Sequence, residues 1–162
     1  MKIRIFAVVA CVLLAAAVYA QKVTTNSNPS APFGSYGRYE WRDGTPAPDP
    51  LVEQRVHTIV NAELASRGLT ESNTPDVYVA THAVTQQHPQ LIVSGFGWGP
   101  GGVASVDTYT MGTLVVDLYD AHTGQMVWRG VAPDSVSDKP EKNTQRINKA
   151  VQKMFAKYPP GV

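Results

Sequence analysis

Thr108-Tyr-Thr-Met-Gly-Thr-Leu-Val-Val-Asp-Leu-Tyr-Asp-Ala-His-Thr-Gly-Gln-Met-Val-Trp-Arg-Gly130 reads as a β-hairpin, and the rest of the chain is arranged around it. The first arm is rich in β-branched and aromatic residues, and Leu114, Val116 and Leu118 fall on one face at a period of two. The second arm, from Gln125, carries Met126, Val127, Trp128 and Val131. Between them, Asp120 to Gly124 is turn chemistry: Asp and Thr side chains bond nearby backbone, and Gly accepts a positive φ. Two registers fit. A three-residue loop ending on Gly124 pairs Leu118 with Trp128 and sends the indole to the core. A four-residue loop pairs Leu118 with Val127 and turns Trp128 over, because a one-residue slip flips every side chain. The larger apolar area of the indole favours the first.

Working outward toward the N-terminus, Asp49-Pro50 opens a helix, with Asp49 as N-cap and Pro50 at the first helical position. Val52, Val56, Ile59, Val60 and Leu64 form its apolar stripe, and Gly68 closes it as a left-handed cap with Leu69 folding back on Leu64. Before it, Ser35 to Trp41 alternates as a first strand, Tyr39 and Trp41 on one face, Arg38 and Glu40 on the other. Asp43 to Pro48 is a short turn-rich link. Asp76 to Val84 is a second strand, and residues 90–96 have strand character until Ser94-Gly95-Phe96-Gly97-Trp98-Gly99-Pro100-Gly101-Gly102 breaks the pattern.

On the other side of the hairpin, Asp138-x-x-Glu141 is a capping-box arrangement opening a last helix. Ile147, Ala150, Val151, Met154, Phe155 and Tyr158 keep helical spacing, and Pro159-Pro160 stop it. The order β-α-β-β-β-α, with two one-sided helices, implies an α+β two-layer sandwich: one mixed or antiparallel sheet of about four strands, both helices on one face. The first strand, helix and second strand make a right-handed crossover.

At 162 residues, with 43% hydrophobic and 17% charged, the chain has room for one globular domain, placed at residues 35–160. Gln21 to Gly34 is polar and Pro-interrupted, a flexible lead-in. Met1-Lys2-Ile3-Arg4, the apolar run from Ile5 to Ala17 and Val18-Tyr19-Ala20 form a secretory signal cut after Ala20. The apolar run is short for a span of about 20 residues, so no integral span is expected once the signal is removed. Cys11, in Val8-Val9-Ala10-Cys11, superficially fits a lipoprotein box but lies inside the apolar run. Cleavage after Ala20 leaves no cysteine, hence no disulfide and no thiolate. It also removes Lys2 and Arg4, so the 14 basic residues become 12 against 13 acidic ones. That balance offers no attraction for nucleic acid.

Tyr39-Glu40-Trp41, Asp49-Pro50-Leu51, the Gly/aromatic loop, Thr113-Leu114-Val115-Val116-Asp117, Val127-Trp128-Arg129-Gly130 and Met154-Phe155-Ala156-Lys157-Tyr158-Pro159-Pro160 together resemble the bacterial envelope family called domain of unknown function 4136. The resemblance covers nearly the whole mature chain. It implies a Gram-negative envelope protein, periplasmic or outer-membrane-associated and commonly a lipoprotein, with no agreed activity and no catalytic residues to carry over. The early position of Cys11 departs from the usual pattern of that family.

Each candidate for chemistry has a plainer explanation. Gly97 to Gly102 spells G-x-G-x-x-G, but a strand follows where a dinucleotide site needs a helix, and no cofactor is expected. Phe96 and Trp98 on that glycine background are candidate anchors for an envelope protein or lipid partner. Lys142, Arg146, Lys149, Lys153 and Lys157 line the last helix opposite its apolar stripe, a solvated face or a dock for anionic lipid. Asp120 to Trp128 resembles the D-A-x-T-G-x-x-x-W turn of quinoprotein propeller repeats, but occurs once where a propeller needs many. His57, His82, His88 and His122 are too scattered for a metal ligand set. Asp107 and Asp117 share a strand face roughly 34 Å apart, too far for acid–base work, and are expected on the solvent side. An exported, non-catalytic binding or scaffold module is the expected function. A carrier of a small hydrophobic ligand or lipid between sheet and helices is the alternative.

Overall fold

The computed structural model describes residues 22–94, 103–137 and 139–159. In chain order it runs through β1 (Thr24–Ser27), a 3-10 turn (Phe33–Ser35), β2 (Arg38–Trp41) and α1 (Pro50–Ser66). Then come β3 (Thr70–Glu71), β4 (Val77–Ser94), β5 (Val103–Asp120), β6 (Met126–Ser135) and α2 (Pro140–Phe155). The strands form one mixed sheet in the order β1-β6-β5-β4-β2-β3. β2 and β4 are parallel neighbours joined through α1, and β4, β5 and β6 are successive antiparallel strands.

The β5–β6 hairpin contains both registers. Leu118 pairs with Trp128 and Tyr119 with Met126, so Val127 is the extra residue of a bulge. The loop beyond closes with Asp120 N–H on Gln125 O at 2.9 Å, and Gly124 has φ 69°. The bulge lets the four-residue loop coexist with an indole that is fully buried against Phe155 and Tyr158. Val77, Val79, Leu114, Val116, Leu118 and Trp128 share one core with Val56, Val60 and Leu64 of α1 and Ala150, Val151, Met154 and Phe155 of α2. Both helices therefore cover the same sheet face, which alternation along each strand makes apolar.

Four expectations are corrected. The lead-in is sheet in part: Thr24 lies opposite Val131 and Ser27 opposite Trp128. β1 is an edge strand held through backbone pairing, so its polar side chains carry no periodic apolar signal. The segments 76–84 and 90–96 are one 18-residue strand, β4; Pro89 interrupts the pattern but is tolerated where β4 has a strand on one side only. With β3 added, the strands number six rather than about four. Finally, α2 starts at Pro140 with Lys139 as N-cap and no side-chain cap, so the capping box does not open it. Asp138 lies outside the described residues. Asn143 ties the entry instead, its Oδ1 accepting from Ser137 N–H at 2.8 Å and its Nδ2 donating to Ser137 O at 2.6 Å.

The first helix follows its sequence closely. Asp49 Oδ1 accepts from Leu51 N–H at 2.8 Å, and Val52 and Ile59 flank the buried stripe. Gly68 has φ 80°; its N–H reaches Ala65 O at 3.0 Å while Leu69 N–H reaches Leu64 O at 3.1 Å, the two bonds of a Schellman cap. Nothing lies within 4 Å of a Cβ built on Gly68, so the cost of a side chain there is conformational alone. Gly68→Ala should lower stability by about 1 kcal/mol. An unchanged melting temperature would remove this account of the cap.

Candidate functional site

Among the described residues, β4 has no strand on its outer side beyond residue 84, and β5 has none before Met111, where β6 joins it. Residues 85–94 and 103–110 thus form a two-stranded ribbon, about 30 Å long at the usual strand rise. Thr85, Gln86 and Gln87 are exposed at its base. Phe96 and Trp98, the expected contact anchors, lie outside the described residues, as does the whole 95–102 connection.

At the base of the ribbon, where the sheet passes out from under the helices, lies a cavity of about 310 Å³. Val52 and Val56 of α1, Leu114 of β5, and Ile147 and Ala150 of α2 form its apolar wall. Val136, exposed at 43%, also lines it. Asn143 and Arg146 of α2 supply polar donors at the same place, with Asp49 and Asp134 among the remaining lining residues. Of the expected basic contacts, Lys142 and Lys149 are exposed, while Arg146 and Lys153 are half-buried. Helical spacing puts all four on one stripe, and Arg146 is the member that reaches the cavity.

The helix-free face of the sheet holds a polar cluster. Asp117 alternates away from Val116 and Leu118, yet its side chain is 0% exposed, which corrects the expectation of a solvent-side residue. Arg129, its cross-strand partner, covers it: Nε donates to Oδ1 at 2.6 Å and Nη2 to Oδ2 at 2.6 Å. Tyr119 donates to Oδ2 at 3.4 Å. Burial, and then the Asp117 charge, raise the Tyr119 phenol above 10.0. His82 Nε2 stands 3.5 Å from the same oxygen. The Thr45 N–H is shared between His82 Nδ1 at 3.1 Å and Thr81 O at 3.0 Å, on the side of the ring away from Asp117. The order Thr45 hydroxyl, His82, Asp117 imitates a hydrolase relay, with the hydroxyl 3.0 Å from Nδ1. However, the same nitrogen already takes the backbone N–H, so the ring is poorly placed to draw a proton from the hydroxyl. The register that pairs Leu118 with Trp128 implies this Asp117–Arg129 pairing, a signal present in the sequence and passed over.

The other histidines stand apart. His57 stacks on Trp41 at 3.9 Å between ring centroids and meets Glu53 at 3.0 Å, and His122 is exposed in the β5–β6 turn. Among the described residues no three His, Cys, Asp or Glu side chains gather as a metal site would require. Asp107 lies on β5, ten residues along the strand from Asp117.

Asp76 joins the starts of β2 and β4. It pairs with Arg38 at 2.8 Å and accepts the Gly37 N–H at 3.1 Å. The Arg38 hydrogen bond first, and the Gly37 N–H next, lower its pKa from 3.8 to about 2. A carboxylate depressed on folding adds stability that is complete above its unfolded pKa and lost as pH falls through the folded value. Asp76→Asn should therefore be less stable than the parent at pH 7, with a shallower loss between about pH 4 and pH 2. Parallel acid-unfolding curves for the two proteins would count against the pair.

Among the described residues no helix is long and apolar enough to cross a membrane. A family model described as domain of unknown function, DUF4136, matches residues 23–160. No curated protein matches the chain. A PDZ domain protein from Parabacteroides distasonis is similar in structure at 14% identity and a TM-score of 0.58, over 88% of this chain and 36% of that one. The present chain thus spans little more than a third of that protein's length. PelC from Paraburkholderia phytofirmans, a dodecamer, is similar at 13% identity and a TM-score of 0.50, over 83% of this chain and 96% of that one. At these identities the likeness is one of fold.

Proposed function

We propose, on the premise that this chain belongs to the family of domain of unknown function 4136, that it is an exported binding or scaffold module of the bacterial envelope. It performs no catalysis and engages a protein partner along the β4–β5 ribbon. The ribbon carries this reading: two 18-residue strands whose outer halves, among the described residues, have no other strand beside them. A two-stranded ribbon is marginal by itself in water, and its open edges present backbone donors and acceptors suited to strand addition. The N-terminal basic and apolar segments support export, and PelC, a protein of similar fold, is a dodecamer.

The test is a photoreactive residue placed at Gln86 or Gln87 of the full chain in intact cells, with Lys149 as the comparison position. The reading expects one protein captured from the ribbon sites and recovery of a mature chain beginning at Gln21. Crosslinks found only at Lys149 would move the contact to α2 and refute the ribbon.

A second reading, a carrier of a small hydrophobic ligand, is favoured by the apolar cavity between sheet and helices. Native mass spectrometry of protein taken directly from the envelope tests it. A bare protein mass speaks against a carrier.

A further inference from the structure

We infer that the cavity at the ribbon base takes the alkyl chain of a free fatty acid, with its carboxylate at the α2 row of Lys142, Arg146 and Lys149. The inference rests on the carrier reading and specifies its ligand. Three observations lead to it. Among the described residues the apolar wall is made by aliphatic side chains of Val, Leu, Ile and Ala, with no aromatic ring for a flat ligand to stack on. At about 310 Å³ the cavity sits at the low end of small-molecule sites, room for one chain and not two. An exposed apolar side chain borders it as well: Val136, 43% exposed, lines the cavity.

The charge beside the cavity fixes the head group. α2 carries Glu141 as its one acidic residue against Lys142, Arg146, Lys149 and Lys153, and the stripe meets the cavity at Arg146. An aliphatic slot edged by a cationic row matches an anionic amphiphile, chain inside and head at the row. Arg146 already interacts within the protein, but a guanidinium has five N–H donors and can serve a carboxylate in addition. Asp49 and Asp134 in the lining oppose a bound carboxylate, and Lys142 and Lys149 beside Arg146 on α2 outweigh them where the head group sits.

The experiment uses the purified, delipidated full mature chain and the fluorescent fatty acid cis-parinaric acid, displaced by laurate or by dodecanol. Saturable one-to-one binding is expected, with laurate displacing about tenfold better than the uncharged alcohol, the worth of one charge-assisted hydrogen bond. Arg146→Gln should narrow that gap. Ala83→Phe, which fills the cavity from β4, should weaken binding at least about tenfold. Val136→Asp, at an exposed position that leaves the core intact, should do the same if the filled variant does not fold. Unaltered binding in both variants, or no saturable binding, overturns the inference. Dodecanol bound as tightly as laurate and lost in Ala83→Phe also overturns it, while leaving the carrier reading intact. An apolar adduct in native spectra together with no laurate binding has the same consequence. A bare native mass refutes both.

Discussion

Gly44→Ala is expected to release the link between β2 and α1 and to destabilise the domain by about 3 kcal/mol, the upper end of what overpacking costs. A Cβ built on Gly44 stands 1.9 Å from the Thr81 carbonyl oxygen and 2.9 Å from its carbon. Those are backbone atoms of the parallel strand β4, which cannot swing aside as a long side chain can. Thr45 would have to withdraw, losing its N–H bond to Thr81 O at 3.0 Å and the bond from Ala83 N–H to Thr45 O at 2.9 Å. The contact of Thr45 with His82 would go with them. The link is held a second time where Glu53 Oε2 accepts the Ala47 N–H at 2.7 Å, so the strain passes into the first turn of α1. Urea unfolding monitored by Trp fluorescence would measure the effect. Gly37→Ala is the matched control, since nothing lies within 4 Å of its Cβ. Equal midpoints for the two variants would mean that residues 43–47 do not approach β4 as described.

Arg129→Ala should cost a similar amount, about 3 kcal/mol, because it strands a carboxylate that water does not reach. Asp117 is wholly buried while Arg129 is 43% exposed, so the guanidinium is the lid and the carboxylate the enclosed partner. Water entering the space left by the guanidinium would soften the loss, which places it at the low end for a broken buried pair. Tyr119 remains as a donor, and it carries no charge. Adding Asp117→Asn to Arg129→Ala should recover part of the loss, since an amide is less costly to enclose than an anion. A double variant no more stable than Arg129→Ala alone would show that the carboxylate is not stranded.

How much of this could be read in advance depended on whether a feature is local. The α1 helix was legible from end to end because Asp49, the apolar stripe and Gly68 each act within a few residues of themselves. The burial of Trp128 was legible through area, although the bulge that permits it was not, since two registers competed and each held over part of the hairpin. β1 was missed because an edge strand held by backbone pairing needs no apolar pattern, and Thr24 to Ser27 has none. The start of α2 was missed because a good capping sequence one residue upstream competed with Pro140 at the first helical position. Of the candidate contacts, Lys142, Arg146, Lys149 and Lys153 form the expected stripe, and only the fold shows that Arg146 borders a cavity.

Alternation in the strands, helical spacing in two segments and a few turn residues were enough to fix an α+β sandwich with its helices on one side, because each of these is set by steric preference and burial over short stretches. What lies across the sheet was decided elsewhere. The enclosure of Asp117 under Arg129, the pressing of Gly44 against Thr81 and the aliphatic cavity beside Arg146 all join residues far apart in the chain. Their positions depend on strand order, register and the end of the helical layer, and those are settled only when every element is packed at once.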